Sequence, residues 1–400
     1  MKILFLLTQS LDSPSGLGRY WPLSKELVKL KHNVTIIALH PDINILSEKE
    51  MTIDGVKIVY VSQMHIIKHG NTKTYFSTTR LSLISIQATF RIFAAAFKES
   101  ADLIHICKPH PMNGLAGFLV GHLQGIPVWL DCDDYEAASG RFSSRIQQKV
   151  VAWFEKHLPN IANSTTTNTH FMQQKLISWG IPAQKVIILP NGVDPDRFSQ
   201  PLKNEVEALL SQLDLQGNPV VLYVGSLSLP SHPIDLLLDA FVIIHKNHPG
   251  TKLVVVGGGE EYVHLQQIAR ERGISESVRF CGRVSAERVV LYYHLANVSV
   301  DPVYDNDAAR GRSPLKLFES WVCGLPFVTG DVGDRRILLG DPPAGLLAKP
   351  GDPASLAVQI QSVLSNPYFA DEIRHRGLER VKAYYWDQIA ITLNQAYLTE

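Results

Sequence analysis

Short apolar runs alternate with segments of helical periodicity along the whole chain, and past residue 219 the alternation starts again. Such a chain is restricted to parallel α/β sheets, one in each half. In the first half the strand-like runs are 2–7, 34–39, 56–61, 103–106, 128–131, 165–168 and a short 186–189. Helical segments fall near 17–31, 79–98, 112–123, 143–158 and 169–179. In the second half strands are expected at 220–224, 253–256, 278–281, 298–301 and 327–329, and helices near 234–246, 260–272, 286–295 and 314–323. Three more helices, near 352–364, 371–384 and 386–398, close the chain. Val220 to Val224 and Leu253 to Val256 are unbroken runs rich in β-branched residues, as strands covered on both faces require. The turn-rich piece from Pro190 to Pro195 and the polar stretch 199–217 mark the boundary between the halves. The expected architecture is two Rossmann-like, doubly wound domains. They face a cleft at the carboxyl ends of both sheets, where ligands bind in this class of fold.

Four hundred residues exceed one ordinary core and suit two. With 38 basic and 38 acidic residues the formal charge is zero, so no global field draws nucleic acid and any anion site is local. Cys107, Cys132, Cys281 and Cys323 form no Cys-x-x-Cys pair, which speaks against zinc or a disulfide framework and for core thiols in a reducing, cytoplasmic setting. The opening apolar run gives way at once to Thr8, Gln9 and Ser10, so it reads as a buried first strand rather than a signal peptide. Leu81 to Phe97 is apolar but broken by Gln87 and Arg91, and no transmembrane helix is expected. From Val61 to Lys98 the chain holds Lys68, Lys73, Arg80, Arg91 and Lys98 and no Asp or Glu. Such a segment can lie on the inner face of an anionic membrane, or be an ordinary helix with a solvated basic face.

The densest chemical signal is the stretch from Arg310 to Pro326. Ser313 suits an N-cap, Pro314 the first helical position and Gly324 the position just past the end, which predicts a helix over 314–323. Arg310, Arg312 and Lys316 crowd the positive end of that helix's dipole, an arrangement that calls for an anion such as a diphosphate. Glu319, one turn further in, is placed to accept hydrogen bonds from sugar hydroxyls. The plain alternative is an exposed helix with scattered charges. Gly16 and Gly18 sit at a helix start after the first strand, where bare backbone can approach an anion. Neither they nor Gly257-Gly258-Gly259 complete a nicotinamide fingerprint, since Trp21 and Tyr262 occupy the third-glycine positions. Asp131, Asp133, Asp134 and Glu136 crowd one loop, and Asp305 and Asp307 another. Carboxylates of this kind attract hard cations, but a hydroxyl-acceptor role with one raised pKa fits the first group equally. His105, Lys108 and His110 follow a further strand, where the imidazoles would hold substrate but have no third ligand for a metal. No nucleophile elbow, zincin pair or Walker loop occurs.

Taken in order, several motifs resemble one family. They are Leu189-Pro190-Asn191-Gly192-Val193-Asp194, Tyr223-Val224-Gly225-Ser226, Val255-Val256-Gly257-Gly258-Gly259 and Val278-Arg279-Phe280-Cys281-Gly282-Arg283-Val284, followed by Ser313-Pro314-Leu315-Lys316-Leu317-Phe318-Glu319, Cys323-Gly324-Leu325-Pro326 and Gly345-Leu346-Leu347. The chain resembles the retaining nucleotide-sugar glycosyltransferases of family 4, which have the GT-B architecture. The resemblance implies an acceptor-side domain over 1–195, a donor domain over 196–375, and helices over 376–400, the last crossing back to the first domain. It implies transfer from a nucleotide diphosphate sugar, metal-independent and without a further cofactor, to a sugar, lipid-linked or small-molecule hydroxyl. Glu319 matches the family glutamate that holds ribose, and Gly311 stands where a second glutamate is usual. Ser226 and His232 stand near the usual diphosphate-binding arginine and lysine, whose charge Arg312 and Lys316 would supply. Asp133 stands where a histidine is usual. Gly16, Gly18, Gly258, Ser313 and Leu315 would complete the donor cradle, the base would rest against the backbone near Arg279 and Val284, and Lys108, His110 and Asp134 would face the acceptor. A sugar-nucleotide epimerase and a noncatalytic sugar-nucleotide binder are the rival readings.

Overall fold

The computed structural model of the chain describes every residue except 70, 71, 141, 143 and 400, and at 68, 69, 72–75 and 78 it defines the backbone alone. Among the described residues sixteen strands run β1 Lys2–Leu7, β2 Asn33–His40, β3 Glu50–Ile53, β4 Val56–Gln63, β5 Ile66–His69, β6 Thr72–Tyr75, β7 Leu103–Cys107, β8 Val128–Cys132, β9 Ser164–Thr167, β10 Val186–Ile188, β11 Val220–Val224, β12 Lys252–Val256, β13 Val278–Gly282, β14 Val298–Asp301, β15 Phe327–Gly330 and β16 Leu346–Ala348. The first sheet has the order β10-β9-β8-β7-β1-β2-β4-β3 and the second β13-β12-β11-β14-β15-β16. All pairings are parallel except β3 on β4 at one edge and the separate β5–β6 hairpin. In both sheets the first strand lies between the second and a later one, so the strand order reverses at β1/β7 and at β11/β14. A crevice opens at the carboxyl ends there.

Alternate residues of each central strand enter different cores. Leu4 and Leu6 pack beneath the helices Thr78–Lys98 and Pro111–Gln124, whereas Ile3 and Phe5 pack beneath Trp21–Lys29. Val221 and Tyr223 face the helix Ile234–Asn247, and Val220 and Leu222 face the helix Leu315–Val322. Period-two alternation with both faces apolar is what a sheet wound on both sides demands. The closing helix Trp386–Leu398 does not stay with the second sheet. Its Trp386, Ile389, Leu393 and Tyr397 lie in the core under β1 and β8, and Tyr397 Oη shares a 2.5 Å hydrogen bond with His105 Nδ1. His105, stacked on Phe5, is therefore a core residue, and burial pulls its pKa down to about 4. That corrects the expectation that it faces substrate.

Candidate functional site

The loops at the two sets of carboxyl ends meet. Gly18, in a single π-helical turn Gly16–Tyr20, touches the start of the second domain's helix Leu315–Val322: a Cβ at position 18 would lie 2.5 Å from Leu315 Cδ1. Between them lies a cavity of 630 Å³. Leu17, Gly18 and Lys25 line it from the first domain, Arg288, Leu315 and Glu319 from the second. Glu319 reaches it with one carboxylate oxygen held by Tyr293, whose hydroxyl donates at 2.6 Å. A buried phenol that fixes one oxygen leaves the other for a ligand.

The start of that helix differs from expectation. Pro314 is the N-cap and the helix begins at Leu315. Ser313 caps nothing, and its hydroxyl is buried with no hydrogen-bond partner among the described residues. The reason lies in the backbone: Ser313 is tied across the crevice, its carbonyl accepting from Asn191 Nδ2 at 2.9 Å. Asn191 Oδ1 in turn accepts from Arg19 (2.9 Å), and Arg19 makes a two-pronged pair with Asp131 at 2.8 and 2.9 Å. Thr166 and Tyr20 also donate to Asp131. One buried polar chain thus joins the end of β8, the glycine turn, the interdomain crossing and the donor-side helix. Burial opposes ionisation of Asp131, but Arg19 overrides it and holds the carboxyl down at about 2.

The three cations around 310–316 do not share one role. Lys316 is buried, 2.8 Å from Asp301 Oδ1 and 4.4 Å from the centre of the Tyr223 ring, behind Gly225 and outside the cavity. Arg335 binds the other oxygen of Asp301 at 3.0 Å. Burial alone would raise the Asp301 pKa, yet Lys316, Arg335 and Arg312 together hold it well below the usual carboxylate range. The anion that Lys316 requires is therefore built in as Asp301, and the expectation that Lys316 faces a diphosphate is corrected. Arg310 is exposed and forked onto Asp305 at 2.7 and 3.0 Å. Arg312 points to the loop after β11, where Nη1 lies 2.9 Å from His232 Nε2. A guanidinium only donates, so Nε2 accepts and Nδ1 carries the proton toward Ser231 Oγ at 2.9 Å. Arg312 is thus the cation of the three that is carried toward the loop of Ser226 and His232.

Gly225, Gly257 and Gly259 make that loop region possible. A Cβ at Gly257 would lie 1.8 Å from Gly225 O, and one at Gly259 2.1 Å from Leu227 O. The carbonyl of Gly258 accepts from Leu227 N, so the triplet is a packed joint rather than a loose turn. The Arg279 side chain is turned away, with Nε donating to Leu213 O and Nη1 to Glu276 O, both at 2.8 Å, which leaves the backbone there for the expected base contact. Val284 packs against the core that holds Val289 and Leu317. Gly311 is closed off by the first domain, since a Cβ there would lie 3.0 Å from Tyr135 Cβ.

On the acceptor side, Lys108 sits at the centre of a carboxylate cage. Its Nζ is 2.9 Å from Asp133, 2.9 Å from Asp134 and 2.5 Å from Glu136. These three carboxylates lie close enough together to hold a cation, and the buried ammonium takes that place. Lys108 is thereby withdrawn from acceptor contact, a correction to its expected role. Asp134 is half-exposed at the edge, and His110 Nδ1 shares a 2.7 Å hydrogen bond with Thr8. Burial, with Asp134 and Asp131 nearby, raises the Asp133 pKa to about 7 against the pull of Lys108. Two more bridges close the crevice: His170 to Asp334 at 2.8 Å and Lys175 to Asp307 at 3.2 Å. Sequence reasoning did not single out Arg19 or Asn191. A charged residue among apolar neighbours at a helix start was the signal for Arg19.

Comparison with known proteins matches residues 16–197 to the model described as Glycosyltransferase Family 4 and residues 207–380 to Glycosyl transferases group 1. Among curated relatives, a glycogen synthase of Mycobacterium tuberculosis is 24% identical over 397 residues, 96% of this chain and 91% of that protein. A D-inositol 3-phosphate glycosyltransferase of Geodermatophilus obscurus is 28% identical over 63% of this chain and 54% of its own. Among solved structures, sucrose-phosphate synthase from Thermosynechococcus elongatus superposes with a TM-score of 0.81 at 21% identity, covering 100% of this chain and 99% of that one. Anabaena HepE in complex with UDP-glucose gives 0.78 at 18% identity, covering 100% of both chains.

Proposed function

Given that the chain belongs to the family 4 glycosyltransferases of GT-B fold, we propose that it moves a sugar from a nucleotide diphosphate sugar to a hydroxyl acceptor with the anomeric configuration retained. The observation that carries this is Glu319, oriented by Tyr293 into a 630 Å³ interdomain cavity opposite Gly18. One free carboxylate oxygen there suits a ribose diol, with the diphosphate running toward the glycine turn and the start of the Leu315–Val322 helix. Amides at that helix start and Arg312 meet the charge that develops on the departing diphosphate. The buried hydroxyl of Ser313, unpartnered among the described residues, adds a donor at the same place. Lys316 acts through Asp301, holding the helix start in position. Asp133, with a raised pKa beside Lys108, lies on the acceptor side. The UDP-glucose bound by HepE and the GDP-mannose named for a Mycolicibacterium smegmatis relative favour a nucleotide donor of this class.

The test is turnover with uridine, guanosine and adenosine diphosphate hexoses and a panel of hydroxyl acceptors, with the product's anomeric coupling read by NMR. Acceptor-dependent release of nucleoside diphosphate with retained configuration is expected. Isomerised donor in the absence of acceptor identifies an epimerase, and binding without turnover across the panel identifies a noncatalytic binder.

A further inference from the structure

Three neighbouring helices of the first domain share an unusual surface. Thr78–Lys98 packs on Pro111–Gln124, which packs on Arg145–Ile161. The first exposes Leu83, Ile86 and Phe90, each at 69%. The second exposes the stripe Leu115, Leu119 and Leu123, one residue every turn. The third exposes Ile146 (75%), Val150 and Trp153 (56%). Solvated apolar side chains are ordinary when single, but nine on adjoining helices form a patch that needs a cover.

The charges say what the cover is. These helices also expose Arg80, Arg91, Lys98, Arg145, Lys149 and Lys156. Their sole acid is Glu155, which is buried and accepts the backbone amides of Glu136 and Ala137 at 2.7 and 3.0 Å. In a chain of zero formal charge, all exposed charge on this face is positive. Basic rims around apolar side chains, with a tryptophan among them, match an anionic lipid interface. Residues 79–98 are long and apolar enough to cross a membrane, yet Ile84, Ala88, Ile92 and Ala96 are buried beside the first sheet, so the helix lies flat. The face reaches the crevice rim, because Gly140, shortly before the third helix, abuts Pro230 of the second domain. The side chains of Lys68 and Lys73, which shared in the sequence expectation, lie outside the described residues.

We propose that these three helices form a docking face on which the protein rests against an anionic bilayer without spanning it. The face stands on its own geometry, so its failure would leave the transferase reading untouched. The full chain is sedimented with phosphatidylcholine vesicles, with or without about 30 mol% phosphatidylglycerol, at about 0.1 M salt. Binding is expected only with the anionic vesicles, weakened about fivefold by Lys149→Ala and about tenfold by Phe90→Ser. Circular dichroism melting of both exposed-site variants should match the parent and so excludes misfolding. Equal binding to both vesicle types, or no binding to either, overturns the proposal. So does a lipid-independent dimer that Phe90→Ser dissolves, since the face would then be an interface between copies.

Discussion

Lys316 shows how a residue type can be right for a site and its role wrong. A lysine near a helix start invites a phosphate, but its ammonium is neutralised from behind by Asp301. Removing the shared anion would strand two buried cations, Lys316 and Arg335, at a cost of about 3 kcal/mol. Asp301→Asn should therefore destabilise the chain in urea unfolding, and the double variant Lys316→Met/Asp301→Asn, which leaves one stranded cation instead of two, should recover part of the loss. Equal destabilisation of single and double variants would refute the pairing. Asp133 carries a pH signature of opposite sense to Asp301. Its folded pKa stands above the unfolded value, so its contribution is fully present below the ordinary carboxyl pKa of 3.8 and is lost as pH rises through about 7. Relative to Asp133→Asn, the parent should be more stable at pH 5 than at pH 8, and a difference that grows with pH would contradict the assigned burial. Glu319 and Gly18 were legible in the sequence because a capped helix and a glycine pair leave local marks. The meeting of Arg19 with Asp131 and Asn191 was not, since these partners lie 112 and 172 positions away and no periodicity encodes such a meeting.

At the scale of elements, the long buried strands and most helices could be placed from period and capping alone. The elements missed are those whose pattern is weak. β3 is an antiparallel edge whose residues are mostly exposed, β16 is three residues long, and the helix Lys203–Gln212 lies in the stretch taken for a polar boundary. The glycine triplet after β12 shows the opposite case, a strong signal with an unforeseen reason. Gly257 has a φ of +138° and no room for a Cβ against Gly225 O, so the joint between the loops after β11 and β12 requires glycine there. Gly257→Ala should cost on the order of 3 kcal/mol and lower the melting temperature. A variant as stable as the parent would show that the joint is loose.

For the whole molecule, the alternation that predicts two doubly wound domains also predicts their crevice, because the strand order reverses at β1/β7 and β11/β14. How tightly the crevice is closed could not be read from sequence, as it depends on a few pairs between distant loops. Lys175 and Asp307 meet at partly exposed positions, where such a pair contributes about 0–1 kcal/mol, whereas Asp334 is buried and meets both the amide and the ring of His170. Asp307→Ala/Asp334→Ala should raise the radius of gyration by X-ray scattering, and bound nucleotide should reverse the change. Scattering identical to the parent in both states would mean that these bridges do not hold the domains together. The account's central claim is that the cavity beside Glu319 receives the nucleoside diphosphate end of the donor. Calorimetric titration of the parent and of Glu319→Ala with uridine, guanosine and adenosine diphosphates tests it most directly. One of the three should bind the parent and lose about tenfold or more in affinity with the variant. Undiminished affinity in Glu319→Ala would contradict the claim.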